Sequence, residues 1–298
     1  MGSSPSNSPS GEYRPVREDD GHDPELLSPK RDLTPPPQPV RRRRSSWSHT
    51  PATYVLLGIN CLVFLAMTVR GVNPMNPTTE QLMRWGADNA GNVLIGGQWV
   101  RIVTAMFVHV GFLHLATNMW CLWNLGLLAE PLMGSAGVLA VYVLTGAAGN
   151  LLSTLYNWLT NNADWVKYHD LAVFPAGAGA SGAVFGIAGA LIVLLKSNRL
   201  PVPQVEVDKL RRSVIYFAAI NLCIGFAISM GTRFMGSGLQ IDNMAHLGGC
   251  TCGLLFAWPM VPRPGSPREQ FLFRRRAATV MVVGILVLFG FFLVKFAG

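Results

Sequence analysis

Charged side chains are scarce in this sequence. Of its 298 residues only 13% are Asp, Glu, Lys or Arg and half are hydrophobic, whereas a soluble domain carries about 25% charged residues. That shortage argues against a soluble globular enzyme and for the membrane class. Cysteine is also sparse. All five cysteines lie in apolar runs, and Cys250-x-Cys252 has the spacing of neither a redox motif nor a zinc site. They read as small apolar helix residues. No cleavable signal peptide is evident, because a long polar stretch precedes the first apolar run. The formal charge of +8 is confined to that stretch and to short connections. This is the membrane pattern, and no nucleic-acid partner is expected.

What the sequence does have is long apolar runs, at about 52–69, 112–130, 136–160, 181–195, 214–231, 241–261 and 277–296. They predict an all-α polytopic membrane protein with seven helices, surrounded by the lipid bilayer. Residues 1–50 are rich in Ser, Pro and charge and are expected to be a disordered cytoplasmic tail. Its Arg41–Arg44 run stands before an apolar helix, as a topogenic signal does. Residues 51–261 form the expected core, 262–276 a basic linker, and 277–298 an added transmembrane helix. With the tail cytoplasmic, Lys196, Arg199, Lys209, Arg211, Arg212, Arg263, Arg268 and Arg274–Arg276 share its side. The opposite side holds Arg70, Arg84, Arg101, Lys167, Arg233 and Lys295. The asymmetry places the N-terminus in the cytoplasm, and a multi-pass protein of a bacterial cytoplasmic membrane is the expected location.

The fourth run is short. From Ser181 to Leu195 it would make a helix of roughly 22 Å, against a bilayer core of roughly 30 Å. A short spanning helix here starts below one surface, with Ser181 at its buried tip under the Gly177–Ala180 loop. The connection 70–111 is too long for a simple turn. It carries Trp85, Trp99 and Phe107 and a short helix expected through 79–85, so it reads as a structured element in the outer leaflet.

Polar residues inside spanning segments are costly and are functional candidates. Three clusters qualify: His109-x4-His114-x3-Asn118 at the start of the second run, Ser181, and His246 in the sixth. Gly249 and Gly253 share the face of His246, while Phe185 and Gly189 share that of Ser181. Glycine faces approach closely in lipid. If these two meet, Ser181 gains an imidazole as its base, with Phe185 one turn below. The Ser181 N–H, Asn118 and His114 are then available to an oxyanion. Other readings exist for each residue: Gly179-Ala180-Ser181-Gly182 as plain packing, His246 as a proton relay or ligand contact, and His109 with His114 as metal ligands. The last lacks further ligands at a defensible spacing. Asp242, one turn before His246, is a candidate third triad member or simply a favourable charge at a helix start. Glu130 and Arg101 read as structural. A transporter lined by His114, Asn118 and His246 would favour internal duplication, and none is apparent.

Taken together, the chain resembles the rhomboid intramembrane serine proteases over residues 52–261. The resemblance rests on five elements in order. They are Trp99-x-Arg101 (one residue wider than the family's usual Trp-Arg pair), His109-x4-His114-x3-Asn118, Glu130, Gly179-Ala180-Ser181-Gly182, and Ala245-His246-x2-Gly249-x3-Gly253. The resemblance implies a six-helix core plus one helix. It also implies a Ser181–His246 dyad without an acidic third member, an oxyanion hole of His114, Asn118 and the Ser181 N–H, transmembrane protein substrates, and no cofactor or metal. One departure stands out: Phe185 takes the place of a tyrosine common in the family, keeping the ring and losing the hydroxyl. The family also contains non-catalytic relatives that bind client helices; these have no need of Ser181 or His246.

Overall fold

The computed structural model describes residues 50–196, 203–235, 241–261 and 267–297. Except for Thr50, the expected disordered tail lies outside the described residues, as do Arg199 and Arg263. The described order is α1 (Pro51–Val69), α2 (Thr79–Arg84), β1 (Asp88–Asn89), α3 (Ala90–Leu94), α4 (Arg101–Thr104), α5 (Phe112–Met133), α6 (Ser135–Tyr168), β2 (Ala176–Gly177), α7 (Ser181–Leu194), α8 (Gln204–Met235), α9 (Asn243–Ala257) and α10 (Arg268–Ala297). The chain is an all-helical membrane protein, and its longer helices coincide with the seven apolar runs.

The described helices bear on two expectations. By length and composition, four described helices (α1, α6, α8 and α10) suffice to cross a membrane, or five if α5 is joined to the segment bent 93° before it. A count of seven spans is not reached on length, because α7 and α9 have only 14 and 15 residues. The shortness expected of the fourth long helix is thus shared by the sixth. Second, α10 begins at Arg268, so 268–276 are helical turns rather than linker. The apolar run marks where a helix becomes greasy, not where its backbone bonding starts.

The centre is the trio α6, α7 and α9, and glycine explains how it closes. A Cβ on Gly249 would fall 2.0 Å from the Gly182 carbonyl oxygen, and one on Gly253 2.0 Å from that of Gly186. On the third side, a Cβ on Gly149 of α6 would lie 2.4 Å from the Ala245 carbonyl. Backbones therefore touch directly, which is how helices associate where lipid leaves little hydrophobic drive between them.

Two devices fix the periphery. Glu130, buried near the end of α5, accepts the N–H groups of Ala52 and Thr53 at 2.9 and 2.8 Å and the hydroxyls of Thr53 and Ser135, both at 2.7 Å. It supplies acceptors to the orphan donors of the first turn of α1. In the first loop, Arg101 donates to the carbonyls of Met83 and Ala87, both at 2.8 Å. A capping box of Thr78 and Gln81 starts α2, at the end expected from the sequence. β1 then pairs antiparallel with β2, Asp88 opposite Gly177, which ties this loop to the strand just before Ser181.

Candidate active site

Ser181 is the first residue of α7. The first four N–H groups of a helix have no intrahelical acceptor, so Ser181 presents both its hydroxyl and an unsatisfied donor edge. The loop before it is held by two bonds: Gly179 N–H to the Ala105 carbonyl at 2.9 Å, and Ala180 N–H to Nε2 of His109 at 3.5 Å. The Nδ1 of His109 faces the Phe107 carbonyl at 3.3 Å. That places the ring proton on Nδ1 and leaves Nε2 as acceptor. His109 is thus a strut between the first loop and the Ser181 turn.

Across the glycine seam, His246 Nε2 lies 2.8 Å from Ser181 Oγ. The Phe185 ring stacks on the imidazole with centroids 4.3 Å apart and planes within 12°. Nδ1 of His246 has no hydrogen-bond partner among the described residues. Asp242 is turned elsewhere: it caps α9 by accepting from Ala245 N–H at 2.9 Å, and its other oxygen accepts from the Ser153 hydroxyl at 2.5 Å. The geometry is that of a pair, with no carboxylate behind the histidine.

His114 comes to the same place from α5. Gly179, with φ of +130°, has no side chain, and a Cβ there would lie 2.6 Å from Cε1 of His114. The glycine is needed both for its backbone and for the ring it admits. Val110 N–H donates to His114 Nδ1 at 3.3 Å, so the ring proton sits on Nε2 and that nitrogen is a donor. Asn118 spends one amide hydrogen on the His114 carbonyl at 2.8 Å; the second is left.

Trp99 and Arg101 are not brought to this site. Trp99 packs with Leu286, Phe289 and Leu293 of α10, Arg101 holds loop carbonyls, and Glu130 caps α1 far along the chain. Sequence reasoning did not single out Asp88, which is buried in β1 opposite Gly177 and accepts from the Thr154 hydroxyl. Among the described residues no three His, Cys, Asp or Glu side chains converge as ligands for a metal.

The Rhomboid domain family model matches residues 96–263, more than half of the chain. The chain belongs to the rhomboid family. It is 28% identical over 235 residues to the rhomboid protease GluP of Bacillus subtilis (strain 168), covering 79% of this chain and 39% of that one. To the rhomboid protease AarA of Providencia stuartii it is 27% identical over 257 residues, 84% of this chain and 86% of the other. RHOMBOID-like protein 6, mitochondrial, of Arabidopsis thaliana is 29% identical over 202 residues, 67% of this chain and 56% of that protein. The chain thus spans well under two thirds of the GluP and plant relatives. In this rhomboid domain, the matched region takes in all three polar clusters and the glycine seam between α7 and α9.

Proposed function

We propose that the chain is an intramembrane serine endopeptidase in which Ser181 is the nucleophile and His246 its general base. The observation that carries the reading is the 2.8 Å contact between Ser181 Oγ and His246 Nε2. A serine hydroxyl is a weak nucleophile until an adjacent base takes its proton. As Oγ attacks a peptide carbonyl, the proton passes to Nε2 and the carbonyl oxygen becomes an oxyanion. The Ser181 N–H, Nε2–H of His114 and the free amide hydrogen of Asn118 are donors for that charge, and the α7 N-terminus adds its dipole. The imidazolium then protonates the leaving amine, giving an acyl-enzyme. Water activated by the same imidazole hydrolyses it and restores the serine. Phe185 keeps the imidazole plane in register throughout.

The substrate class is a transmembrane protein that presents a locally unwound segment near the Ser181 side of the bilayer. A serine turn flanked by Gly and Ala favours small residues at the scissile bond. The distribution of basic residues supports a cytoplasmic N-terminus with the Ser181 end outside, and the proposed location is a bacterial cytoplasmic membrane. No cofactor enters the scheme. A non-catalytic client-binding scaffold is the alternative, and a preserved Ser–His contact weighs against it.

The test is covalent labelling of the purified protein in detergent by a fluorophosphonate. Wild type is expected to label, and folded Ser181→Ala and His246→Ala are not. Labelling that survives in Ser181→Ala contradicts the site assignment.

A further inference from the structure

Away from Ser181, α10 does not close against its neighbours along its whole length. Beside its later turns runs an open groove of 360 Å³. Trp99 and Ile102 line it from the first loop, Leu151 from α6, and Val287, Phe291 and Val294 from α10. Every lining residue is apolar or aromatic, and the α10 wall faces outward, with Val287 and Phe291 well exposed. One glycine opens the space. A Cβ on Gly290 would meet only Cζ3 of Trp99, at 3.6 Å, an ordinary contact. This differs from the seam glycines, where a Cβ would strike backbone: here a side chain would fit and would fill the groove.

A cation stands at the edge. Lys295 follows Phe291 by one helical turn and shares its face, and its Nζ lies 5.9 Å from the centre of the Phe291 ring. Among the described residues no carboxylate pairs with it. The last turn of α10 is on the Ser181 side of the protein, because Ala297 packs with Trp158 and with Phe174, just before β2.

Size and charge together select the occupant. A helix clad in side chains is about 10–12 Å across and rises 5.4 Å per turn, so one turn fills on the order of 400 Å³ or more. The groove cannot take in a helix. An unbranched hydrocarbon chain is much thinner and follows an irregular apolar wall. A lone ammonium at the rim complements a headgroup with net negative charge.

We propose that this groove binds one acyl chain of an anionic phospholipid from the leaflet on the Ser181 side, with its phosphate on Lys295. The lipid would brace the first loop. The Ile102 carbonyl already accepts from the Asn150 amide at 2.8 Å, and three residues on the Ala105 carbonyl holds Gly179 N–H. A chain packed on Trp99 and Ile102 steadies the segment that makes both contacts.

The experiment titrates the purified full chain, stripped of lipid in detergent, with phosphatidylglycerol or phosphatidylcholine. Bound lipid is counted by native mass spectrometry, and melting is followed on the same samples. Wild type is expected to hold one phosphatidylglycerol about fivefold more tightly than phosphatidylcholine, the effect of one lysine near an anionic headgroup. Its melting temperature should rise as phosphatidylglycerol is added. Lys295→Ala should erase the preference and keep the site. Gly290→Leu, which fills the groove, should lose the tightly held lipid and the melting response together. Val294→Trp narrows the groove from a position 43% exposed and should act in the same direction; it decides the matter where Gly290→Leu does not fold. A wild type without a preferred lipid overturns the proposal, as does a folded Gly290→Leu or Val294→Trp that binds like wild type. So does a Lys295→Ala that keeps the preference, or a dimer that Gly290→Leu dissolves, which would assign the groove to a second copy of the chain. None of these readouts uses Ser181, so the protease reading stands or falls separately.

Discussion

Helices α7 and α8 follow one another in the chain and are both apolar, yet they are packed in opposite ways. Twelve of the fourteen residues of α7 are buried. In α8 the described buried residues are Val207, Val214, Ala218 and Gly225. Hydrophobicity does not separate them, because lipid is as good a solvent for Leu as a protein core is. Glycine does. α7 meets the backbone of α9 directly: the carbonyls of Gly182 and Gly186 face Gly249 and Gly253 at separations no Cβ would allow, and a Cβ on Gly189 would lie 2.3 Å from the Cys250 carbonyl oxygen. Among its described residues α8 has one tight glycine, Gly225, and what it meets is the Asn243 side chain; α8 touches the site through Phe217, whose ring lies 6.0 Å from that of Phe185. Apolarity puts a segment in the membrane, and small residues decide whether it becomes core.

The largest expected effect that would break this contrast is at Gly253. A single methyl there meets the Gly186 carbonyl at 2.0 Å, and backbone cannot rotate away as a flexible side chain can. Gly253→Ala should cost about 3 kcal/mol or more, read as a drop in melting temperature and loss of probe labelling together. A variant as stable as wild type would mean that the seam is looser than described. Next comes Phe185→Ala, which removes a ring 3% exposed and the support beneath His246. It should destabilise by roughly 3 kcal/mol and slow labelling about tenfold or more. Phe185→Tyr, which keeps the ring, should retain most activity. The smallest effect is expected on α8. Ile224 is 51% exposed, and Ile224→Ala should change stability by less than about 0.5 kcal/mol, measured by the same melts.

Much of this was legible in the sequence, because the relevant signals are local. Hydropathy located the long helices, Gly111 marked the start of α5, and the Gly/Ala run ending in Ser181 marked a helix tip. Spacing alone put Phe185 below the serine and two glycines on the face of His246. What was not legible depends on distant partners. Glu130 caps a helix start 77 and 78 residues away, and no local pattern announces that. Asp242 could be read from spacing as a partner for His246, but its oxygens face Ser153 and its own helix head. Asp88 carries no local signal; only the pairing of β1 with β2 sets it beside Gly177. Gly189, on the face of Ser181, does meet α9, but so do Gly182 and Gly186, which lie off that face. The register between two helices is set by both of them, so neither one's sequence contains it.

The most direct test of the central claim is cleavage of a transmembrane reporter by the purified chain reconstituted in liposomes. Wild type should cut it. Ser181→Ala and His246→Ala should each lose on the order of 10⁴-fold in rate while melting like wild type. Undiminished cleavage by either variant would contradict the account, as would a folded wild type that binds the reporter helix and never cuts it.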